Sequence, residues 1–185
     1  MKLFVMGAVY QNYESLVSRY GKSTVDSNLH AMITVSDNDA WVNLTNMLGN
    51  GNYAVGANVI TSWANSHGYT DTSARSGYYQ NFSSARDTAW IVKDIYQGNL
   101  RYSDRMLSLL KQQTRKTKIP AGIPSGIVTG NKTGELGGTE NDTAIIYGPK
   151  QTYVLSIMST NLVSNSNAQA VIRNISSIVY NYLNV

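Results

Sequence analysis

The sequence predicts an α+β protein of the broad α/β class, with a helical first part, a small antiparallel sheet and a closing helix. Three observations carry that prediction. Up to about position 113 the apolar residues recur at helical spacing between capping and stop residues. Beyond it Pro120, Gly122, Pro124 and Gly126 punctuate a loop and short strand-like segments follow. The last segment returns to a helical period. The chain therefore divides into an all-helical lobe, 1–113, and a three-stranded sheet with its helix, 114–185.

Taken in order, residues 2–20 place Phe4, Val5, Val9, Tyr13, Leu16, Val17 and Tyr20 near helical spacing, and Gly21 is a natural stop. Asp26 or Ser27 caps a short helix that buries Leu29, Met32 and Ile33 and ends just before Ser36. A helix from Asp39 to Leu48 is closed by Gly49, and another over 54–66 turns Val55, Val59, Ile60 and Trp63 inward. Residues 69–83 have no clear period and read as a loop. Ser83 or Ser84 caps a helix running to Tyr96, and Ser103-Asp104 opens one carrying Met106, Leu107, Leu109 and Leu110. Strands follow at 127–136, 142–148 and 151–159, joined by turns at Gly137-Gly138 and Gly148-Pro149. The final helix, 167–183, aligns Val171, Ile172, Ile175, Ile178, Val179 and Tyr182 on the face expected to pack on the sheet.

Composition excludes several classes of function. A chain of 185 residues can bury a real core, and no apolar run reaches the length of a membrane span. With no cysteine, disulfides and thiolate chemistry are excluded. His30 and His67 each lack a second ligand at helical or hairpin spacing, so no metal site is expected. The net charge of +4 is mild, and its one cluster, Arg115, Lys116 and Lys118, lacks interleaved aromatics. A solvated loop accounts for it, and no nucleic acid partner is expected. Polar Gln11, Asn12 and Glu14 follow the opening Met-Lys-Leu-Phe-Val-Met too soon for a signal peptide. Trp41, Trp63 and Trp90 are expected in the core.

Two tripeptides say more than the rest. Ser36-Asp37-Asn38 falls in a turn between helices, and Lys132-Thr133-Gly134 falls much later, on a strand ahead of a hairpin. Singly, the first is a helix cap and turn, the second an exposed strand end, and Lys2 a lysine in solvent. Together, with Lys2 opening a helix, they have the order of the walls of a serine acyl-transfer site.

In that order of motifs the chain resembles the penicillin-recognising serine hydrolases, nearest their class A β-lactamase-like branch, and the likeness runs from Lys2 to the final helix. The resemblance implies a β-lactamase/transpeptidase-like fold lacking the N-terminal helix and first two strands. It implies an acyl-serine mechanism on β-lactams or D-Ala-D-Ala-type peptides without a cofactor. Lys2 would be the base of the Ser-x-x-Lys element, whose serine would stand three residues before it. Ser36 would relay a proton, Lys132 and Thr133 would bind the substrate carboxylate, and Asn38 would hold a side-chain amide. Gly134 would let the ligand lie flat, the Glu135 N–H would donate to the oxyanion, and Asp37 would brace the turn. The chain departs from the family in offering no serine at the helix start and no glutamate in the 69–83 loop, which has only Asp71 and Asn81. As given it is expected to be a truncated or inactive form, slow to deacylate; the alternative is a non-catalytic module that binds penicillin or cell-wall peptide. No arginine falls on 142–148, which leaves Arg115 or Arg173 for the carboxylate. The missing strands would leave 151–159 an unpaired edge that a second copy of the chain would cover. A bacterial, extracytoplasmic or secreted parent is implied, with no membrane partner.

Overall fold

The computed structural model describes residues 1–76 and 80–185; part of the expected 69–83 loop, residues 77–79, lies outside them. Eight α-helices and three strands are formed by the described residues. The expected first helix is two: α1 (Lys2–Gln11) and α2 (Tyr13–Tyr20). The break is at Asn12, where ψ is 16° and the side-chain amide donates to the Ala8 carbonyl at 2.9 Å. Next comes α3 (Lys22–Thr34), which starts at Gly21 rather than at Asp26 or Ser27. Asp26 lies inside it, paired with Lys22 one turn earlier and accepting from the Tyr13 hydroxyl at 2.6 Å.

Asp37 caps α4 (Asn38–Leu48), Asn52 caps α5 (Tyr53–Ser66) and Ser84 caps α6 (Ala85–Gln97), each accepting a backbone N–H of the first turn. In α5 the core face is Gly56, Ala57, Ile60, Trp63 and Ala64, while Val55 is exposed, contrary to expectation. Trp90 is also outside the core, 45% exposed with the Arg86 guanidinium stacked 5.0 Å above its ring. Helices α4 and α5 meet backbone to backbone: a Cβ on Gly56 would lie 1.8 Å from the Thr45 carbonyl oxygen. Gly56→Ala is therefore expected to destabilise the protein by about 1–3 kcal/mol or more, because neither helix axis yields without repacking. A denaturant midpoint equal to wild type would contradict this packing.

After α7 (Ser103–Lys111) and a 3₁₀ turn at Ile119–Gly122, the strands form a meander: β1 (Thr129–Leu136), β2 (Thr139–Tyr147) and β3 (Thr152–Met158), in that order and antiparallel. The principal core is helical, and it reaches the sheet through Ile145, Tyr147 and Val154. A smaller core under the other sheet face gathers Ile119, Ala144, Ile146, Ile172 and Tyr180.

The last helix, α8 (Asn165–Asn184), packs on the sheet, but of the face expected to do so only Ile172 is buried. Ala168, Ile172, Ser176 and Tyr180 are buried, whereas Val171, Ile175, Ile178 and Tyr182 are exposed, Ile178 by 68% and Tyr182 by 87%. The cause is the 3₁₀ turn, which crosses α8 so tightly that a Cβ on Gly122 would meet the Arg173 carbonyl at 2.2 Å. Only a small residue fits there, and Ser176 fills the place while donating to the Ile119 carbonyl at 2.9 Å. Among the described residues β3 pairs only with β2, so its outer edge carries no strand.

Candidate active site

The turn bearing Ser36 is held in an uncommon shape. Ser36 has φ 62°, in the left-handed region that costs an ordinary residue on the order of 1 kcal/mol. Four contacts hold it there. The Asp37 N–H donates to Ala31 O at 3.1 Å, and the Asp37 carboxylate accepts from Ala40 N at 2.7 Å. The segment after α7 is stitched to the end of α3, by Thr114 N to Thr34 O at 2.9 Å and Gln113 Nε2 to Ile33 O at 2.6 Å. Asp37 thus braces the turn as a helix cap.

Strand β1 brings the second wall. Alternation along a strand puts Gly130, Lys132 and Gly134 on one face, and Gly130 packs on α7 beside Leu110, so this face looks at the helical lobe. Lys132, 6% exposed, reaches across to donate to Ser36 Oγ at 2.8 Å and to Thr133 O at 3.1 Å. From the first turn of α1, Lys2 donates to Ser36 O at 2.5 Å, Ser36 Oγ at 3.3 Å and Asn38 Oδ1 at 2.7 Å. One hydroxyl thus stands between two lysine ammonium groups from distant parts of the chain.

Burial weakens both ammonium groups. Burial, with the Lys2 charge next in size, lowers Lys132 from 10.5 to about 7. Burial also lowers Lys2 to about 8, against the opposing pull of Asp37. A lysine that titrates near neutrality can take up and release protons at working pH, and Ser36 is placed to pass one between the two. Asp142, opposite Thr133 on β2, is pushed up to about 6 by burial, although Asn131 and the Ile119 N–H donate to it.

A cavity of about 390 Å³ opens here, lined by Lys2, Ser36, Asn38, Lys132, Thr133, Gly134 and Glu135. All the expected site residues meet there except Asp37, which lies behind the turn. Trp41, Phe82, Leu136 and Met158 add an apolar wall. Asn81 of the long loop also reaches the cavity, whereas Asp71 pairs with Arg86 at the loop's base at 3.1 Å.

The structure separates the two arginines left open by the sequence. Arg115 lines the cavity, while Arg173 donates to the Thr117 carbonyl. The solvated-loop reading of the basic cluster fails at Lys118, which is fully buried between Glu135 and Glu140, at 3.2 and 2.5 Å. Two of the chain's three glutamates on a single hairpin were the sequence signal for this.

Residues 1–183 match the model of the β-lactamase enzyme family. The chain belongs to that family. Its fold is class A β-lactamase-like, that of β-lactamase-like hydrolases. The structure of PBP-A superposes with a TM-score of 0.86 at 22% identity, covering 98% of this chain and 78% of that one. A point mutant of PBP-A, in an acyl-enzyme complex with penicillin G, gives 0.84 at 22% identity with the same coverage, 98% and 78%. The β-lactamase from Sphaerobacter thermophilus gives 0.82 at 22%, covering 98% and 81%. No curated protein matches the sequence. At such identities the superpositions speak for the fold, and this β-lactamase-family chain is shorter than the structures it matches.

Proposed function

We propose that this site serves acyl transfer from β-lactams or D-Ala-D-Ala-type peptides to a serine standing three residues before Lys2. The observation that carries the reading is the convergence of Lys2 and Lys132 on the Ser36 hydroxyl at the cavity wall. In the reaction the neutral Lys2 amine takes the serine proton as its oxygen attacks the carbonyl carbon. The tetrahedral oxyanion collapses, the C–N bond breaks, and the proton reaches the departing nitrogen through Ser36, with Lys132 beside it. Lys132, Thr133 and Arg115 hold the ligand carboxylate, Asn38 its amide, and the Glu135 N–H is one oxyanion donor. The acyl-enzyme of the PBP-A mutant with penicillin G lends this chemistry support on the same fold.

The test is a gain of function. The 185-residue chain is expected to form no covalent adduct with benzylpenicillin. Adding Ser-Ala ahead of Met1, to give Ser-Ala-Met-Lys, is expected to add the mass of one penicillin, at that serine. The adduct should be long-lived, because the 69–83 loop has no glutamate to activate water. A serine extension that never labels, although the protein is folded, would defeat the acylation reading. Labelling of the unextended chain would show that the nucleophile is misassigned.

A further inference from the structure

The side of the sheet turned away from the cavity is left open along β3. Among the described strands β3 bonds to β2 alone, so the outward N–H and C=O groups of Thr152–Met158 meet no strand. The usual protections of such an edge are missing, since its seven residues include no lysine, no proline and no charge. Tyr153, Leu155 and Ile157 alternate onto the face that carries α8, and there they are only half-buried against the small core.

Helix α8 is bare on the same side. It meets the 3₁₀ turn through Arg173 and Ser176, and that turn lies against β1 and β2. At about 100° per residue, Val171, Ile175, Ile178 and Tyr182 fall on the opposite flank, beside β3. All four are exposed, Tyr182 most of all. Stripe and strand therefore bound one apolar corner. Neither element sets a charged side chain in it, because Arg173, the single charged side chain of α8, is turned to the Thr117 carbonyl on the other flank.

That chemistry selects the partner. An acidic or basic protein finds no opposite charge in the corner, whereas two copies of a chain of net charge +4 meet there with no like charges opposed. The strand is also complementary to itself. A two-fold axis through Leu155, perpendicular to the sheet, runs β3 antiparallel to its copy. Leu155 then lies opposite Leu155, and Tyr153 of one copy lies opposite Ile157 of the other. The same axis carries the second α8 beneath the same face, so the two stripes turn toward each other. Four apolar side chains and a seven-residue strand edge bring each copy to on the order of the 800 Å² of a stable interface.

We propose that the 185-residue chain forms a two-fold homodimer through this corner, its β3 strands joining two sheets into one of six strands and its α8 stripes packed together beneath.

Sedimentation velocity between about 1 and 100 μM tests this, where interfaces of this size associate at their weakest. Wild type is expected to pass from monomer to dimer and to stop there, because a two-fold interface closes on itself. Ile178→Glu and Tyr182→Lys, both at exposed positions, are expected to weaken the dimer at least about tenfold and to leave melting of the monomer unchanged. The chain has no cysteine, so Leu155→Cys places a single thiol, at the axis. Two such thiols lie within disulfide reach and should crosslink under mild oxidation, while those of Lys93→Cys on α6 should not. A monomer throughout the range, masses that grow beyond the dimer, a dimer indifferent to both stripe variants, or one that folded Leu155→Cys fails to crosslink overturns the proposal.

Discussion

Lys132→Met is expected to weaken binding of a carboxylate-bearing β-lactam by roughly 10- to 100-fold, because a hydrogen bond to a charged group is worth about 1.5–3 kcal/mol. The same change should remove part of the pH dependence of folding. In the native protein Lys132 releases its proton at about 7, while the unfolded chain holds it to the ordinary lysine value of 10.5. Between those limits the unfolded state binds more protons, so stability rises with pH, by at most about 1.4 kcal/mol per pH unit for the one group. Below about 7 both states are protonated and the burial penalty stands in full. Lys2 adds a smaller rise of the same sign above about 8. Wild type minus Lys132→Met should therefore climb from pH 7 toward 10 and be flat below. Ligand affinity should run the other way and fall as pH rises through 7, since an anion needs the protonated amine. Thermal melts and binding titrations at pH 6, 7, 8 and 9 read both slopes. Equal affinity of variant and wild type would remove Lys132 from the site.

The parts of this fold that were legible in the sequence share one property: their signals are local. Gly137-Gly138 between two strand-like runs marks the hairpin, the Ser36-Asp37-Asn38 turn marks a helix start to within a residue, and Ser84 marks another. The site was legible for the same reason, since its residues sit on a turn and a strand that local rules define. What failed depended on which neighbour arrives from elsewhere. Helix α8 has two apolar faces, and a polar residue, Ser176, stands at the centre of the buried one. The fuller stripe of Val171, Ile175, Ile178 and Tyr182 therefore looked like the core face. Nothing in α8 announces that a 3₁₀ turn some fifty residues earlier requires a small side chain there. Val55 and Trp90 failed similarly: each lies one step around its helix from the face its neighbours bury.

Lys118 was the least legible residue, and its replacement is expected to be costly. Its side chain is wholly buried, and its ammonium touches Glu135, Glu140 and the carbonyls of Gly134 and Asn141, which are paired across β1 and β2. Burial would raise the Glu140 carboxyl, yet the bonds from Lys118, Gln169 and Asn165 hold it below the usual carboxylate range. Removing one partner of a buried pair strands the other, a loss of about 3–5 kcal/mol, whereas removing both charges costs far less. Lys118→Met alone is thus expected to lower the unfolding free energy by roughly that amount. Lys118→Met with Glu140→Gln should recover much of it, because a neutral amide keeps its place beside Asn165 and Gln169. The single variant should also lose ligand affinity through the hairpin, since Thr133, Gly134 and Glu135 occupy the strand end that Lys118 ties to β2. Denaturant unfolding of the two single variants and the double variant measures the coupling directly. Additive losses would mean that the ammonium and the Glu140 carboxylate do not act as a pair, and the clamp on the site would have to be sought elsewhere in the hairpin.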